Sequence, residues 1–249
     1  MSAAGPADAS SDERGGDAAD QRGGERFVHA WLLRLDPAWR RLPADERRRG
    51  VDDFSAAVER TERRLLQHAY STLGLRAEGD LLLWRMAERL EDIEQSAADL
   101  LASGVGRWLT PAASMIGLTR PSQYVRRPTA QEQSLFEGER SRYLVVYPFV
   151  KSTEWYLTPA KERQAVMRGH MRVGHRYPQV RQLLAYSFGL DDQEFIVAYE
   201  TDDLVGFQDL VRELRETESR RATVRDTPLI TGIHRPIGDW LTMVDGETP

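Results

Sequence analysis

The chain contains no cysteine among its 249 residues. This absence excludes disulfide bonds, thiolate-bound metal sites and a cysteine nucleophile, and it is typical of proteins in a reducing compartment. No apolar run approaches the roughly 20 residues that a membrane-spanning helix needs. The amino terminus also lacks the basic and apolar regions of a secretory signal. We therefore expect a cytoplasmic protein with no membrane span.

An excess of positive charge is also missing. The formal net charge is -5, which does not favour binding to nucleic acid. The chain has no P-loop, no GxGxxG fingerprint and no GxSxG elbow, so these nucleotide-binding and hydrolase motifs do not indicate a function. The composition, 41% hydrophobic and 29% charged, is that of a globular protein long enough for one large or two small domains.

The first 25 residues contain no Leu, Ile, Val or aromatic residue. Such a segment cannot bury enough apolar surface to offset its ordering entropy, so we predict a disordered tail over 1–25. Beyond it, two passes of a βαββαβ pattern are predicted, over 26–120 and 142–249. Residues 121–141, rich in Arg, Gln, Pro and Glu, are predicted to be the linker.

The helix and strand predictions follow from hydrophobic periodicity. In the first pass, strands are expected over 27–35, 65–73, 80–86 and 113–118, with helices over 43–64 and 90–103. In the second pass, strands are expected over 143–149, 180–188, 194–200 and 228–232, with helices over 159–173 and 203–217. Thr158 is the predicted N-cap of the helix at 159, with Pro159 in the first helical position.

The two passes resemble each other in sequence. The segment PADER at position 43 recurs as PAKER at position 159, and the segment AYS at position 69 recurs at position 185. Two matches in the same order, at the same offset of 116 residues, indicate a duplication. A repeated βαββαβ unit predicts two ferredoxin-like halves, an α+β fold whose antiparallel sheets pack into a barrel-like core with helices outside.

One histidine lies on an apolar helix stripe. Val166, Met167, His170 and Val173 recur at helical spacing, so His170 is predicted to point inward. No cysteine or second histidine stands at the spacing of a zinc site. A lone inward histidine can be an axial ligand of haem iron, although a core histidine satisfied by hydrogen bonds is the commoner explanation for this residue alone. The equivalent first-half residue is Phe54, so any such site would occur once per chain.

A strand end carries the segment Tyr147-Pro-Phe-Val-Lys151. Tyr147 and Lys151 share one face of an extended strand but are about 13 Å apart, so they could contact different parts of one large ligand. Pro148 cannot donate to a ladder, so the strand should end or meet an edge there. The alternative is an amphipathic strand end whose lysine reaches solvent, and from this segment alone it is the commoner arrangement.

A glutamine lies on another predicted strand. Gln182 shares a face with Leu184, Tyr186 and Phe188, and a buried amide in such surroundings needs a hydrogen-bond partner, either a ligand or nearby backbone. A phenol, an amine, an imidazole and an amide facing one large ligand suggest a haem-type site in which tyrosine does redox chemistry.

At these residues the chain resembles the chlorite dismutase and coproheme decarboxylase family. The resemblance covers most of 140–235 and is weaker over 26–120, where mainly the order of elements agrees. It implies a dimeric α+β barrel, often assembled as a homopentamer, with haem in the C-terminal half. The motifs that carry it are Tyr147-Pro-Phe-Val-Lys151, Glu154-Trp155-Tyr156, His170-x-x-x-Gly174, Gly189-Leu-Asp-Asp192 and Arg215…Glu218.

The resemblance implies residue roles. His170 would be the iron ligand, with the carboxylate of Glu218 hydrogen-bonded to its other ring nitrogen. Dismutases resemble one another in a distal arginine on the strand that here carries Gln182, whereas strand alternation turns the adjacent Arg181 to the opposite face. The decarboxylases pair the tyrosine and lysine of the YPxxK-type segment, and one branch has a distal glutamine. The match is therefore to a coproheme decarboxylase.

The implied reaction is peroxide-dependent decarboxylation of two propionates of coproheme III, which gives haem b. Coproheme would bind through His170, and Gln182 would orient hydrogen peroxide. Tyr147 would lose an electron and a proton, and its radical would abstract hydrogen from a propionate. Carbon dioxide then leaves and a vinyl group remains.

Lys151 would hold the second reactive propionate, because a compact cation suits a carboxylate. Trp155, Arg215 and Arg127 are candidate partners of the remaining propionates. Two alternatives stay open at this point: a chlorite dismutase, which converts chlorite to chloride and oxygen, and a non-catalytic haem-binding or haem-transfer protein on the same fold.

Overall fold

The computed structural model describes residues 25–120 and 138–245. Almost all of the predicted tail and most of the predicted linker lie outside these ranges. In the first half the elements are β1 Phe27–Leu35, α1 Ala44–Thr61, β2 Leu66–Ser71, β3 Leu81–Ala87, α2 Leu90–Ala102 and β4 Leu109–Thr119. Short 3-10 helices span Pro37–Arg41 and Gly104–Trp108.

The second half repeats the order with additions. Its elements are β5 Tyr143–Lys151, α3 Thr153–Leu157, α4 Ala160–Gly174, β6 Arg181–Tyr186, β7 Phe195–Thr201, α5 Leu204–Arg215, a 3-10 helix Glu218–Ala222, β8 Thr223–Arg225, β9 Ile230–His234 and α6 Ile237–Asp245. The predicted α+β fold with a duplicated βαββαβ order is therefore confirmed. The sequence prediction missed α3, β8 and α6, which are all shorter than ten residues.

The predicted helix cap at Thr158 is wrong. Pro159 occupies the N-cap position and α4 begins at Ala160. Thr158 instead closes α3, where its hydroxyl donates to the Glu154 carbonyl at 2.7 Å. That bond directs the side chain back to the preceding turn, so it does not reach the first amides of α4.

The strands pair in a closed ring. The sheet order is β7-β6-β4-β1-β3-β2-β9-β5, and β5 pairs back with β7. Every one of these pairings is antiparallel, and the β4–β6 and β2–β9 pairings join the two halves. This ring is the arrangement that two ferredoxin-like sheets need to enclose a common core.

Pro148 lies within β5 and does not end it. It stands opposite Ile196 on β7, while β9 pairs β5 only from Tyr143 to Val146 and β8 pairs it only from Val150. The second edge of β5 is thus open at the proline, which has no amide hydrogen to donate. The sequence predicted that the strand either ends at Pro148 or has an open edge there, and the structure shows the open edge.

Alternation along the strands separates the interior of the ring from its outer surfaces. Inside lie apolar side chains from both halves, among them Leu32, Trp84, Val146, Leu183 and Ala198. The outer surface of the first half is covered by α1, α2 and α6. The outer surface of the second half contributes Val145, Val197 and Tyr199 to a smaller cluster with α5. No helix in the described ranges is long and apolar enough to cross a membrane.

A buried carboxylate ties the halves together inside the ring. Glu200 is fully buried, accepts a short hydrogen bond from the Tyr70 hydroxyl, and pairs with Arg181 at 2.9 Å and Arg140 at 3.5 Å. Tyr70 is on β2, while Glu200 and Arg181 are on β7 and β6. Arg181 therefore faces the interior, as strand alternation predicted.

Candidate functional site

Strand register brings Tyr147 and Gln182 to one outer surface. Tyr147 stands opposite Val197, and Gln182 stands opposite Tyr199, two residues further along the same strand. Their neighbours Val146 and Leu183 face the interior of the ring, so Tyr147 and Gln182 face outward. The ring centroids of Tyr147 and Tyr199 are 6.3 Å apart in a stacked arrangement. A phenol, a second phenol and an amide thus line one surface.

The helix beside this surface buries none of its apolar stripe completely. No residue of α4 is buried, although Val166, Met167, His170 and Val173 form its stripe. A helix over a sheet normally buries such a stripe. On the sheet side, Leu184 lies beside Tyr147's neighbour Val197 and is 42% exposed. The helix stripe and this part of the sheet are therefore both left partly exposed, which suits a flat, largely apolar ligand.

The first half provides the comparison. Its equivalent helix α1 buries Phe54, Ala57, Val58 and Thr61 directly on the sheet. Phe54, the counterpart of His170, is 0% exposed. The first half therefore buries this helix position, whereas the second half leaves it partly exposed.

His170 lies on the inner side of α4 and is partly buried. Its Nδ1 is 3.0 Å from the Ser219 hydroxyl. Burial, with a smaller contribution from the charge of Lys151, lowers the pKa of His170 to about 4. The imidazole is neutral at physiological pH, and a neutral imidazole is the form that binds a metal.

The expected carboxylate partner of His170 is wrong. Glu218 points to solvent with its side chain 62% exposed and lies 3.5 Å from Arg221. Ser219, the next residue, is buried and makes the contact instead. The cause is local geometry, because the 3-10 helix that begins at Glu218 turns that residue outward and the following one inward.

Lys151 lies beside His170. Its ammonium donates to the Ser219 carbonyl at 2.9 Å and stands 4.6 Å from the Trp155 ring centroid. Burial, followed by the charge of Arg220, lowers the pKa of Lys151 to about 8. Lys151 is therefore held by protein contacts next to His170 and is not a strand end free in solvent.

The remaining predicted site residues flank this group. Trp155 is buried on α3 against Lys151. Arg215, at the end of α5, is half exposed and lies 3.5 Å from the Asp226 carboxylate, close enough to Tyr147 for its charge to affect that phenol. Arg127 lies outside the described residues.

Tyr147 keeps its proton strongly. Burial in the first place, and then its interaction with Tyr199, raise the pKa of Tyr147 well above the ordinary value. Sequence reasoning missed Tyr199. Its alternation with Phe195 and Val197 could have indicated an outward residue, but only the pairing register places it between Tyr147 and Gln182.

The side chains that could act as metal ligands fit one kind of metal site. Within 25–120 and 138–245 no cluster of three or more His, Asp or Glu side chains could hold an ion by itself. A single neutral imidazole facing a partly uncovered apolar surface suits an iron porphyrin, in which the macrocycle supplies the other donors.

Comparison with known proteins identifies the family. Residues 46–235 match the chlorite dismutase family model. A coproheme decarboxylase from Mycolicibacterium smegmatis is 32% identical over 186 residues, which cover 73% of this chain and 79% of the relative.

Two solved structures of chlorite dismutase from Candidatus Nitrospira defluvii superpose on the chain. One is in complex with imidazole (27% identity, TM-score 0.81), and the other is a mutant in complex with cyanide (26% identity, TM-score 0.81). Both alignments cover 92% of this chain and 99% of the other. The chain belongs to the chlorite dismutase family, whose members are haem-dependent enzymes.

Proposed function

We propose that this protein is a coproheme decarboxylase, which uses hydrogen peroxide to convert two propionates of iron-coproporphyrin III to vinyl groups and so makes haem b. For each propionate, one peroxide takes up two electrons. The propionic acid side chain and peroxide become a vinyl group, carbon dioxide and two water molecules. The bound iron porphyrin supplies the site at which peroxide is reduced.

The observation that carries the proposal is the position of Tyr147. Its phenol lies on the surface that faces α4 and His170, and it is held protonated by burial and by Tyr199. A protonated phenol can lose an electron and a proton together. The resulting phenoxyl radical can take a hydrogen atom from a propionate carbon, which restores the phenol and leaves a carbon radical that loses carbon dioxide on further oxidation.

The neighbouring residues are consistent with this chemistry. Gln182 gives the surface a neutral amide, which can orient peroxide without adding charge. Lys151 has three N–H donors, of which one goes to the Ser219 carbonyl, so it retains donors for a carboxylate. We assign it the second reactive propionate. Trp155 supports Lys151, and Arg215 is a candidate partner for a non-reactive propionate.

The position of Arg181 favours this proposal over chlorite dismutation. Its guanidinium is inside the ring on Glu200, on the other side of the strand from the site. The amide of Gln182 stands at the site surface, so that strand offers no cation there to hold a chlorite-derived oxyanion. Moving Arg181 across the strand would leave Glu200 with one fewer partner in the interior.

The test is to load the full chain with coproheme, add peroxide and follow the porphyrin by mass spectrometry. The wild type should lose two carboxyl groups in succession. Tyr147→Phe should bind coproheme with its ring packing intact and form no vinyl product. The matched control is Tyr143→Phe, since Tyr143 is on the same strand about 13 Å away, and it should convert coproheme normally.

Normal conversion by Tyr147→Phe would refute its role as the radical residue. Binding without any conversion by the wild type would instead favour the haem-binding or haem-transfer alternative.

A further inference from the structure

Two hydroxyl side chains, those of Ser219 and Thr217, connect His170 to the end of α5. His170 Nδ1 is 3.0 Å from Ser219 Oγ, and Ser219 Oγ is 3.0 Å from Thr217 Oγ1. Thr217 Oγ1 in turn donates to the carbonyl of Leu214 at 2.6 Å. The chain of hydrogen bonds thus runs from an imidazole, through two hydroxyls, to a backbone carbonyl.

The carbonyl fixes the direction of this chain. A carbonyl oxygen can only accept, so the single proton of Thr217 is committed to Leu214. Thr217 Oγ1 must then accept the proton of Ser219, and Ser219 Oγ must accept from His170. His170 therefore carries its proton on Nδ1. Its Nε2 keeps the lone pair that a metal requires.

We propose that Thr217 and Ser219 act as positioning residues that hold His170 in the Nδ1–H tautomer through a neutral relay, in place of a carboxylate. The inference rests on the proposed function in one respect only, the assignment of His170 as the iron ligand. The relay itself lies entirely within this chain.

Contacts with β5 and with the end of α5 hold the relay in position. Ser219 is 4% exposed, and its carbonyl accepts the hydrogen bond from Lys151 on β5, which anchors the backbone beneath the hydroxyl. Leu214 lies in the last turn of α5, where the carbonyls form the negative end of the helix dipole. That partial charge favours a proton directed at Leu214, and with it the direction of the whole relay.

A neutral relay has a chemical consequence. A carboxylate would draw the Nδ1 proton and make the imidazole a stronger donor to iron, whereas a hydroxyl does so less. His170 should therefore bind ferric iron less tightly than a carboxylate-paired histidine would. Such a bond suits a protein that takes in one iron porphyrin and gives up another.

The first test reads the tautomer in the protein without porphyrin. The chain has five histidines, so selective 15N labelling gives a simple spectrum, and the signals missing in His170→Gln identify His170. Wild type should show a protonated Nδ1 and a bare Nε2. Thr217→Val frees the Ser219 proton to donate to Nδ1 and should move the His170 proton to Nε2. Thr217→Ser keeps a hydroxyl and is the matched control with the wild-type pattern.

The second test reads the iron in the porphyrin-loaded protein. Ser219→Asp places a carboxylate at Nδ1 and should raise the ferrous iron–histidine stretching frequency. A tenfold stronger preference for ferric iron would lower the reduction potential by about 59 mV for this one-electron couple. An unshifted stretching frequency and potential would show that the relay does not act on iron.

The first test shows whether the two hydroxyls set the tautomer of His170, and it does so independently of catalysis. If Thr217→Val leaves the proton on Nδ1, the hydroxyls do not set the tautomer and the inference is wrong. Neither the porphyrin nor peroxide enters that measurement, so a failure of coproheme decarboxylation would leave its result unchanged.

Discussion

His170→Gln distinguishes a metal ligand from a histidine that is merely buried. Glutamine keeps polarity at a similar size but lacks the basic ring nitrogen, so the variant should fold and fail to bind coproheme through its iron. Titration with coproheme should give the shifted Soret band of an imidazole-bound porphyrin in wild type and not in the variant. The matched control is His175→Gln, because His175 is exposed five residues further along.

Wild type and His170→Gln should also differ in how their stability changes at acid pH. The pKa of His170 is about 4 in the folded chain, against an ordinary value of 6.5, so the unfolded chain binds the proton more readily. Stability from the neutral ring is complete above pH 6.5 and is lost as the pH falls toward 4. Between pH 7 and pH 5 the wild type should lose about 2 kcal/mol more than His170→Gln.

Urea unfolding of the porphyrin-free protein at the two pH values measures this difference. His29 and His68 also have burial-lowered pKa values, about 3 and about 4, but both are present in each protein and their effects cancel. Equal losses in wild type and variant would refute the burial of His170. An unchanged Soret titration would refute its role as the ligand, whatever the stability result.

Three further predictions concern Lys151, the reaction with chlorite, and the buried Glu200. Lys151→Ala should let the first decarboxylation proceed and stall the second, so mass spectrometry should detect a three-propionate intermediate; conversion to haem b at the wild-type rate would contradict this. The haem-loaded protein should evolve little oxygen from chlorite, and vigorous evolution at an oxygen electrode would favour a dismutase. Glu200→Gln should cost about 3–5 kcal/mol in urea unfolding, because Arg181 and Arg140 lose their buried counter-charge. The exposed Glu218→Gln should change stability by less than about 0.5 kcal/mol, and a similar small effect at Glu200 would mean that the arginines reach solvent.

Local patterns in the sequence were enough to predict the order of helices and strands. Periodicity, turn residues and the repeated segments at 43 and 159 indicated two βαββαβ halves, and these are present. Short elements such as α3 and α6 escaped because their length is too small for periodicity to register. The last of them is held by distant contacts, including the Trp39 indole on the Val244 carbonyl.

The alternation of side chains along one strand, expected from the sequence, also holds in the structure. It turned Arg181 away from Gln182, since alternate side chains of a strand must face opposite sides. The same rule cannot say which strands are neighbours. The proximity of Tyr147, Tyr199 and Gln182 depends on the closure of the ring between β5 and β7 and on its register, both of which are long-range pairings.

The polar contacts of His170 show most clearly what can be read from the sequence and what depends on the packing of the folded chain. The amino-acid sequence alone established a histidine on an apolar helix stripe. The family resemblance implied the carboxylate of Glu218 as its partner, but a one-residue difference in the direction of a 3-10 turn brings Ser219 to the ring instead. Residue type can be read along the chain, whereas the direction of a side chain in an irregular turn depends on the elements that pack around it, here β5 through Lys151 and α4 through His170.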